Sequence, residues 1–145
     1  MAVTAYWYGK AFLQVFDKEV DWEADDIRVA LCTSTYSPDQ DTHDYFNDIT
    51  NEVVGTNYDA GGAALGTPTI AYTAVGNIVT LDGVDTTWAD STITARYAIV
   101  YDNETAASNT APLLFYIDFG ADKSSSGGDF TITWHGDGIG KITVS

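Results

Sequence analysis

The sequence predicts an all-β fold: an antiparallel β-sandwich or jelly-roll-like barrel with one short N-terminal helix, as a single domain over residues 1–145. Three observations lead there. From Thr67 onward, short strand-like segments recur, with Gly, Asn and Asp turn signals roughly every ten residues. The chain holds 19 Thr, a residue that suits the solvent side of a strand. A chain of 145 residues buries roughly two-thirds of its extended surface around one core, so it folds without staples.

The elements follow in order. Residues 1–20 form an N-terminal segment that contains the helix. Between Thr4 and Val20, Tyr8, Ala11, Phe12, Val15 and Phe16 recur at spacings of three and four, with Lys10, Gln14, Asp17 and Lys18 between them. That is the pattern of a short amphipathic helix. An acidic stretch follows over 17–26, where Val20 and Trp22 read as anchors to the core. Ile27 to Thr33 alternates as a strand, and Pro38 with its neighbouring Asp residues marks 34–42 as loop. His43 to Asp48 fits one helical turn with Tyr45, Phe46 and Ile49 facing in, and Asn51 to Val54 a short strand.

Thr67–Thr73 and Asn77–Leu81 flank Gly76-Asn77 and read as a hairpin. Asp82-Gly83 reads as a second tight turn before Asp85–Ala89, whose Trp88 belongs to the core. Ile93–Tyr101 is a long strand with Ile93, Ala95, Tyr97, Ile99 and Tyr101 on one face. A polar loop over 103–111 precedes the strand Leu113–Phe119, and 123–128 reads as a mobile hairpin tip. Phe130–Trp134 and Ile139–Val144, split by the Gly136-Asp137-Gly138 turn, complete the sheet.

Charge narrows the partners. With 21 acidic and 6 basic side chains, the net charge is −15. Phosphate binding needs Lys and Arg to displace counterions, so nucleic acid is excluded as a partner, and an anionic membrane surface with it. No segment is apolar and long enough to span a membrane, and the N-terminal residues lack the pattern of a secretory signal, so synthesis and folding are expected in a cytoplasm. The 4 Trp, 9 Tyr and 6 Phe exclude an acidic disordered chain. The charge is unevenly placed: no Lys or Arg lies between Arg28 and Arg96, and 10 acidic residues lie between Asp17 and Asp48. Cys32 is alone, so it makes neither an intrachain disulfide nor a Cys zinc site, and it reads as a small buried hydrophobe.

The motifs give little chemistry. Asp39, Asp41 and Asp44 are the metal candidates. An EF-hand count from Asp39 puts His43 at position 5, Asp44 at position 6 and Thr50 at position 12, and so fails. A non-EF cation site stands against the plainer reading of an acidic loop that caps a short helix. His43 and His135 show no metal-ligand spacing, and no Gly-x-Ser-x-Gly elbow is present. Asp118-Phe119-Gly120 lacks every other kinase element, and Gly136 to Lys141 is followed by Ile142 where a phosphate loop needs Ser or Thr. Asn103-Glu104-Thr105 is a glycosylation sequon that matters only in a secretory pathway. No catalytic residue, cofactor or enzyme activity is expected. The aromatic cluster Tyr6, Trp7 and Tyr8 is either a partner-docking patch or a strip buried under the sheet.

Longer runs carry a resemblance. Ile27-Arg28-Val29-Ala30-Leu31-Cys32-Thr33-Ser34-Thr35-Tyr36-Ser37-Pro38 and its continuation to Phe46 resemble a set of small structural proteins of tailed bacteriophages. So do Asn51-Glu52-Val53, Tyr58-Asp59-Ala60-Gly61-Gly62, Val84 to Trp88, Thr94 to Asp102, Tyr116 to Gly120 and Phe130 to Trp134 with Gly138-Ile139. Cys32 departs from a commoner aliphatic residue, and His135 from a small acidic turn residue. The resemblance implies a virion component assembled in the host bacterial cytoplasm, with no catalytic residues to transfer. Within that set the expected role is a capsid decoration (cement) protein that binds the major capsid protein and self-associates, as a homotrimer. The alternative is a tail or fibre component, including a host-surface or glycan-binding module that stacks sugars on Trp and Tyr.

Overall fold

A computed structural model of the chain describes residues 3–145. The elements are β1 (Thr4–Trp7), α1 (Ala11–Phe16), β2 (Ile27–Cys32), β3 (Ala63–Ala64), β4 (Gly66–Thr73), β5 (Ile78–Val84), β6 (Thr86–Ser91), β7 (Thr94–Asp102), β8 (Leu113–Ser124), β9 (Gly128–Ile132) and β10 (Gly140–Thr143). Short 3-10 turns cover Phe46–Asp48 and Ser108–Thr110. The fold is mostly β, as the turn spacing predicts. A five-stranded sheet runs β1-β8-β7-β2-β3, a three-stranded sheet β10-β5-β4, and a two-stranded sheet β6-β9. All the strand pairs are antiparallel.

The five-stranded sheet is covered on both faces. On one, Val29, Leu31, Val100, Leu114 and Phe115 meet Leu81, Trp88, Phe130, Ile132 and Ile139 from the two smaller sheets. On the other, Ala30, Cys32, Ile99, Tyr101 and Leu113 lie under Tyr8 and Tyr36, with Phe46 and Ile49 packed alongside. Double coverage explains why β2 reads Ile-Arg-Val-Ala-Leu-Cys, nearly apolar throughout, and why the Cys32 thiol is buried.

Several local expectations need correction. Thr4–Trp7 is a strand, in register with β8 from Thr4↔Asp118 to Trp7↔Phe115, and the helix shrinks to six residues. Thr, Tyr and Trp are strand formers, and β8 offers them an edge. Asp82-Gly83 lies inside β5 rather than at a turn. Gly83 serves a close approach: a Cβ there would sit 2.8 Å from the Leu65 side chain. At 51–54 no full strand forms; Glu52 makes an isolated bridge to Cys32. The strand expected to end at Phe119 runs on to Ser124, which leaves a shorter tip.

The single face expected for Ile93 to Tyr101 is split in two. Pairing passes from Ala95↔Lys123 to Tyr97↔Asp118, a shift in register. Ile93 and Ala95 therefore join the sandwich core, and Ile99 and Tyr101 the opposite one. A bidentate pair locks the irregularity: Arg96 Nε donates to Asp118 Oδ1 at 2.7 Å and Nη2 to Oδ2 at 3.3 Å. The guanidinium holds the Asp118 carboxyl below the usual range, and Gly120, at φ +76°, donates its N–H to the same carboxylate.

Candidate functional site

Helix α1 buries only the first part of its apolar stripe: Tyr8 and Ala11 are in the core and Phe12 packs on Trp7, but Val15 and Phe16 are outside. An amphipathic helix ordinarily buries its apolar stripe. Here Ala11 and Gln14 are buried, while Leu13 is 65% and Phe16 83% exposed. The cause lies in the loop over residues 39–44. Gly9 N–H donates to the Gln40 carbonyl at 2.9 Å, and a Cβ at Gly9 would stand 3.0 Å from that oxygen. Lys10 Nζ pairs with Asp44 Oδ2 at 3.0 Å, and Gln14 Nε2 donates to the Asp44 carbonyl at 3.0 Å. The loop thus ties the polar side of α1 inward and leaves Leu13, Val15 and Phe16 outside.

Beside them lies a groove of about 310 Å³, lined by Phe12, Val15, Phe16, Val20, Trp22 and Ile70 among others. Ile70 and Tyr72 of β4 add further exposed apolar surface. The acidic stretch is fastened along the same region: Trp22 Nε1 donates to the Thr69 carbonyl at 2.9 Å, and the Ile70 N–H to Glu23 Oε1 at 3.1 Å. Trp22 and Val20 are the anchors that the sequence suggests. Asp21 and Glu23 line the groove itself, and Asp17 and Glu19 follow directly on the helix. The result is an exposed apolar patch with an acidic border, a combination that suits recognition by a protein surface of opposite charge.

The aromatic cluster is divided by strand alternation. Tyr6 is 40% exposed and stacks on Tyr116 at 5.0 Å between ring centroids. Trp7 is half-buried between Phe12 at 4.6 Å and Phe115 at 4.0 Å. Tyr8 is fully buried, so it is a core residue and offers nothing to a partner. Its hydroxyl is hydrogen-bonded to that of Tyr36 at 2.8 Å, and the Tyr36 hydroxyl to His43 Nδ1 at 2.9 Å. Burial pushes both phenols well above their ordinary range.

The three metal candidates are engaged locally. Asp39 Oδ1 accepts the N–H groups of Asp41 and Thr42, and the Thr42 side chain with these amides holds its carboxyl below the usual range. Asp44 is paired with Lys10. Asp41 lies on the exposed loop between them. Among the described residues, no three His, Cys, Asp or Glu side chains gather as a metal ion would require.

One notable group escapes the sequence reading. Asp102 is 1% exposed at the end of β7. Its Oδ1 accepts the Glu104 N–H at 2.9 Å, and its Oδ2 has no partner. Burial, reinforced by the Asp25 carboxyl, pushes it up to about 7. Nothing in the sequence marks Asp102, because the partner that matters lies 77 positions away.

Compared with protein families, curated proteins and solved structures, the chain matches none of them.

Proposed function

We propose that this chain is a structural protein of a tailed-bacteriophage virion: a capsid decoration protein that binds the major capsid protein and braces the head shell. The sequence runs given above supply the virion reading. The observation that carries docking is the exposed end of α1, with Leu13 and Phe16 outside while Gln14 is inside. Burying such a patch stabilises a complex at roughly 25 cal/mol per Å², and an acidic border selects a partner with a basic one. The reading requires no catalytic residue, cofactor, nucleic acid or membrane.

Location in the particle tests the proposal. A virion map of the phage that encodes the chain is expected to show it on the outer head surface, and a stained gel to show it in hundreds of copies. Density confined to the tail, with a few copies per particle, would overturn decoration in favour of a tail or fibre component. Specific binding of the isolated chain to host glycans, with none to heads, would overturn it in favour of a host-surface module.

A further inference from the structure

We infer that the cleft between β1, β8 and β9 is a binding site for a long-chain alkyl carboxylate, with the alkyl body between the sheets and the carboxylate on Lys123. The cleft follows from one small residue. Strand alternation puts Trp7 and Ala5 of β1 on the same face as their β8 partners, Phe115 and Ile117. Trp7 covers Phe115, with 4.0 Å between ring centroids. Ala5 brings only a methyl group to Ile117. β1 begins at Thr4, opposite Asp118, while β8 runs on to Ser124, so Phe119 lies beyond the end of β1. Phe130 of β9 packs on Phe119 from the two-stranded sheet, 6.3 Å away between centroids. Between these elements opens a cleft of about 610 Å³, a volume typical of small-molecule sites.

The walls are core residues that the fold leaves ajar. Ile117, Phe119, Phe130, Ile132 and Ile139 line the cleft and keep 5–8% exposure, whereas Val29, Leu31 and Val100 of the same core are closed at 0%. Trp134 stands on the wall as well, and its Nε1 donates to the Val84 carbonyl at 3.1 Å, which fixes the indole. Each methylene moved from water onto such walls favours binding.

Charge selects the head group. The chain carries 21 acidic side chains, yet among the described residues none lines this cleft; its polar cationic groups are Lys123 and His135. The groove beside α1, by contrast, is lined by Asp21 and Glu23. Asp129, next to Phe130, accepts the Asp90 N–H at 3.2 Å instead, and Asp137, 3.6 Å from the His135 ring, is paired with Lys141 at 3.2 Å. Lys10, Arg28, Arg96 and Lys141 each hold a carboxylate, whereas Lys123 has no such partner among the described residues. Lys123 is in register with Ala95, a core residue, so its stem rises on the core side of β8 at the cleft mouth. A carboxylate on Lys123 with its tail along the walls uses both features. The site is separate from the patch on α1 and does not rest on the decoration reading.

Calorimetric titration of the full chain with dodecanoate, below its micelle concentration, tests the inference. The expected result is saturable binding of one dodecanoate per chain, tighter than that of dodecylammonium. This preference is decisive because the net charge of −15 favours the cation everywhere else on the surface. Ala5→Trp fills the cleft with a residue that suits a strand and is expected to weaken binding roughly tenfold or more. Lys123→Gln, an exposed change that leaves the fold intact, is expected to weaken dodecanoate roughly fivefold, with Lys123→Arg restoring it and neutral dodecanol indifferent to either. Dodecanoate binding that is absent, that either folded variant (Ala5→Trp or Lys123→Gln) leaves unchanged, or that dodecylammonium equals would overturn the inference. Head binding plays no part in the assay, so its outcome and that of the decoration reading are separable.

Discussion

Helix α1 and the loop over residues 33–49 are bonded to each other, yet each reverses what its own sequence advertises. The helix carries an apolar stripe and leaves its second half, Val15 and Phe16, exposed. The loop is rich in Asp, Ser and Thr, yet it buries Tyr36 and stacks Phe46 on Tyr101 at 4.1 Å. The two reversals share a cause. Tyr8, Tyr36 and His43 hold the loop on the sheet, and the loop's Asp44 then claims Lys10 and Gln14. What the contrast teaches is that exposure of an apolar residue is informative when a polar neighbour on the same short element has been buried instead.

Five variants probe that region, from the largest effect on stability to the smallest. Tyr36→Ala removes the ring that seats the loop, and denaturant unfolding is expected to show a loss of about 3–5 kcal/mol. Tyr36→Phe sharpens the point: it keeps the packing and loses the two hydroxyl contacts, for about 1–2 kcal/mol. The second probe is pH. Asp102 sits at the foot of the acidic stretch, and its carboxyl is raised when folded, to about 7. Unfolded, it titrates near 4. The stability it contributes is therefore complete below about pH 4 and is lost as pH rises through about 7. Asp102→Asn is expected to raise the melting temperature at pH 8 by on the order of 5 °C and to change little at pH 4. Gln14→Met comes next. It loses the bond to Asp44 but also removes an Oε1 that has no partner, so the net change stays within about 1 kcal/mol of zero. Leu13→Ser with Phe16→Ser changes stability least, by under about 0.5 kcal/mol per site, because neither side chain is in the core.

Much of the β scaffold was legible from local pattern. β2, the β4–β5 hairpin, Trp22 and Trp88 stand where alternation, Gly76-Asn77 and isolated aromatics put them. The misreadings share a non-local cause. Thr4 to Trp7 precedes the helical spacing that begins at Tyr8 and has a strand's composition, and the edge of β8 gives it a partner. Gly83 carries a turn signal, but Leu65 needs its missing side chain. The orientation of α1 depends on Asp44, 30 positions or more from the groups it binds. The acidic border was visible in composition. The apolar patch inside it was not, since periodicity alone assigns Phe16 to the core.

The most direct test of the proposed docking is binding of the wild-type chain and the Leu13→Ser/Phe16→Ser variant to expanded, empty heads, lacking this chain, of the tailed phage to which the decoration proposal assigns it. The variant, folded and as stable as wild type, is expected to bind at least about tenfold more weakly, and wild-type binding to decline as salt screens the acidic border. Equal binding by the two chains, unaffected by salt, would contradict it.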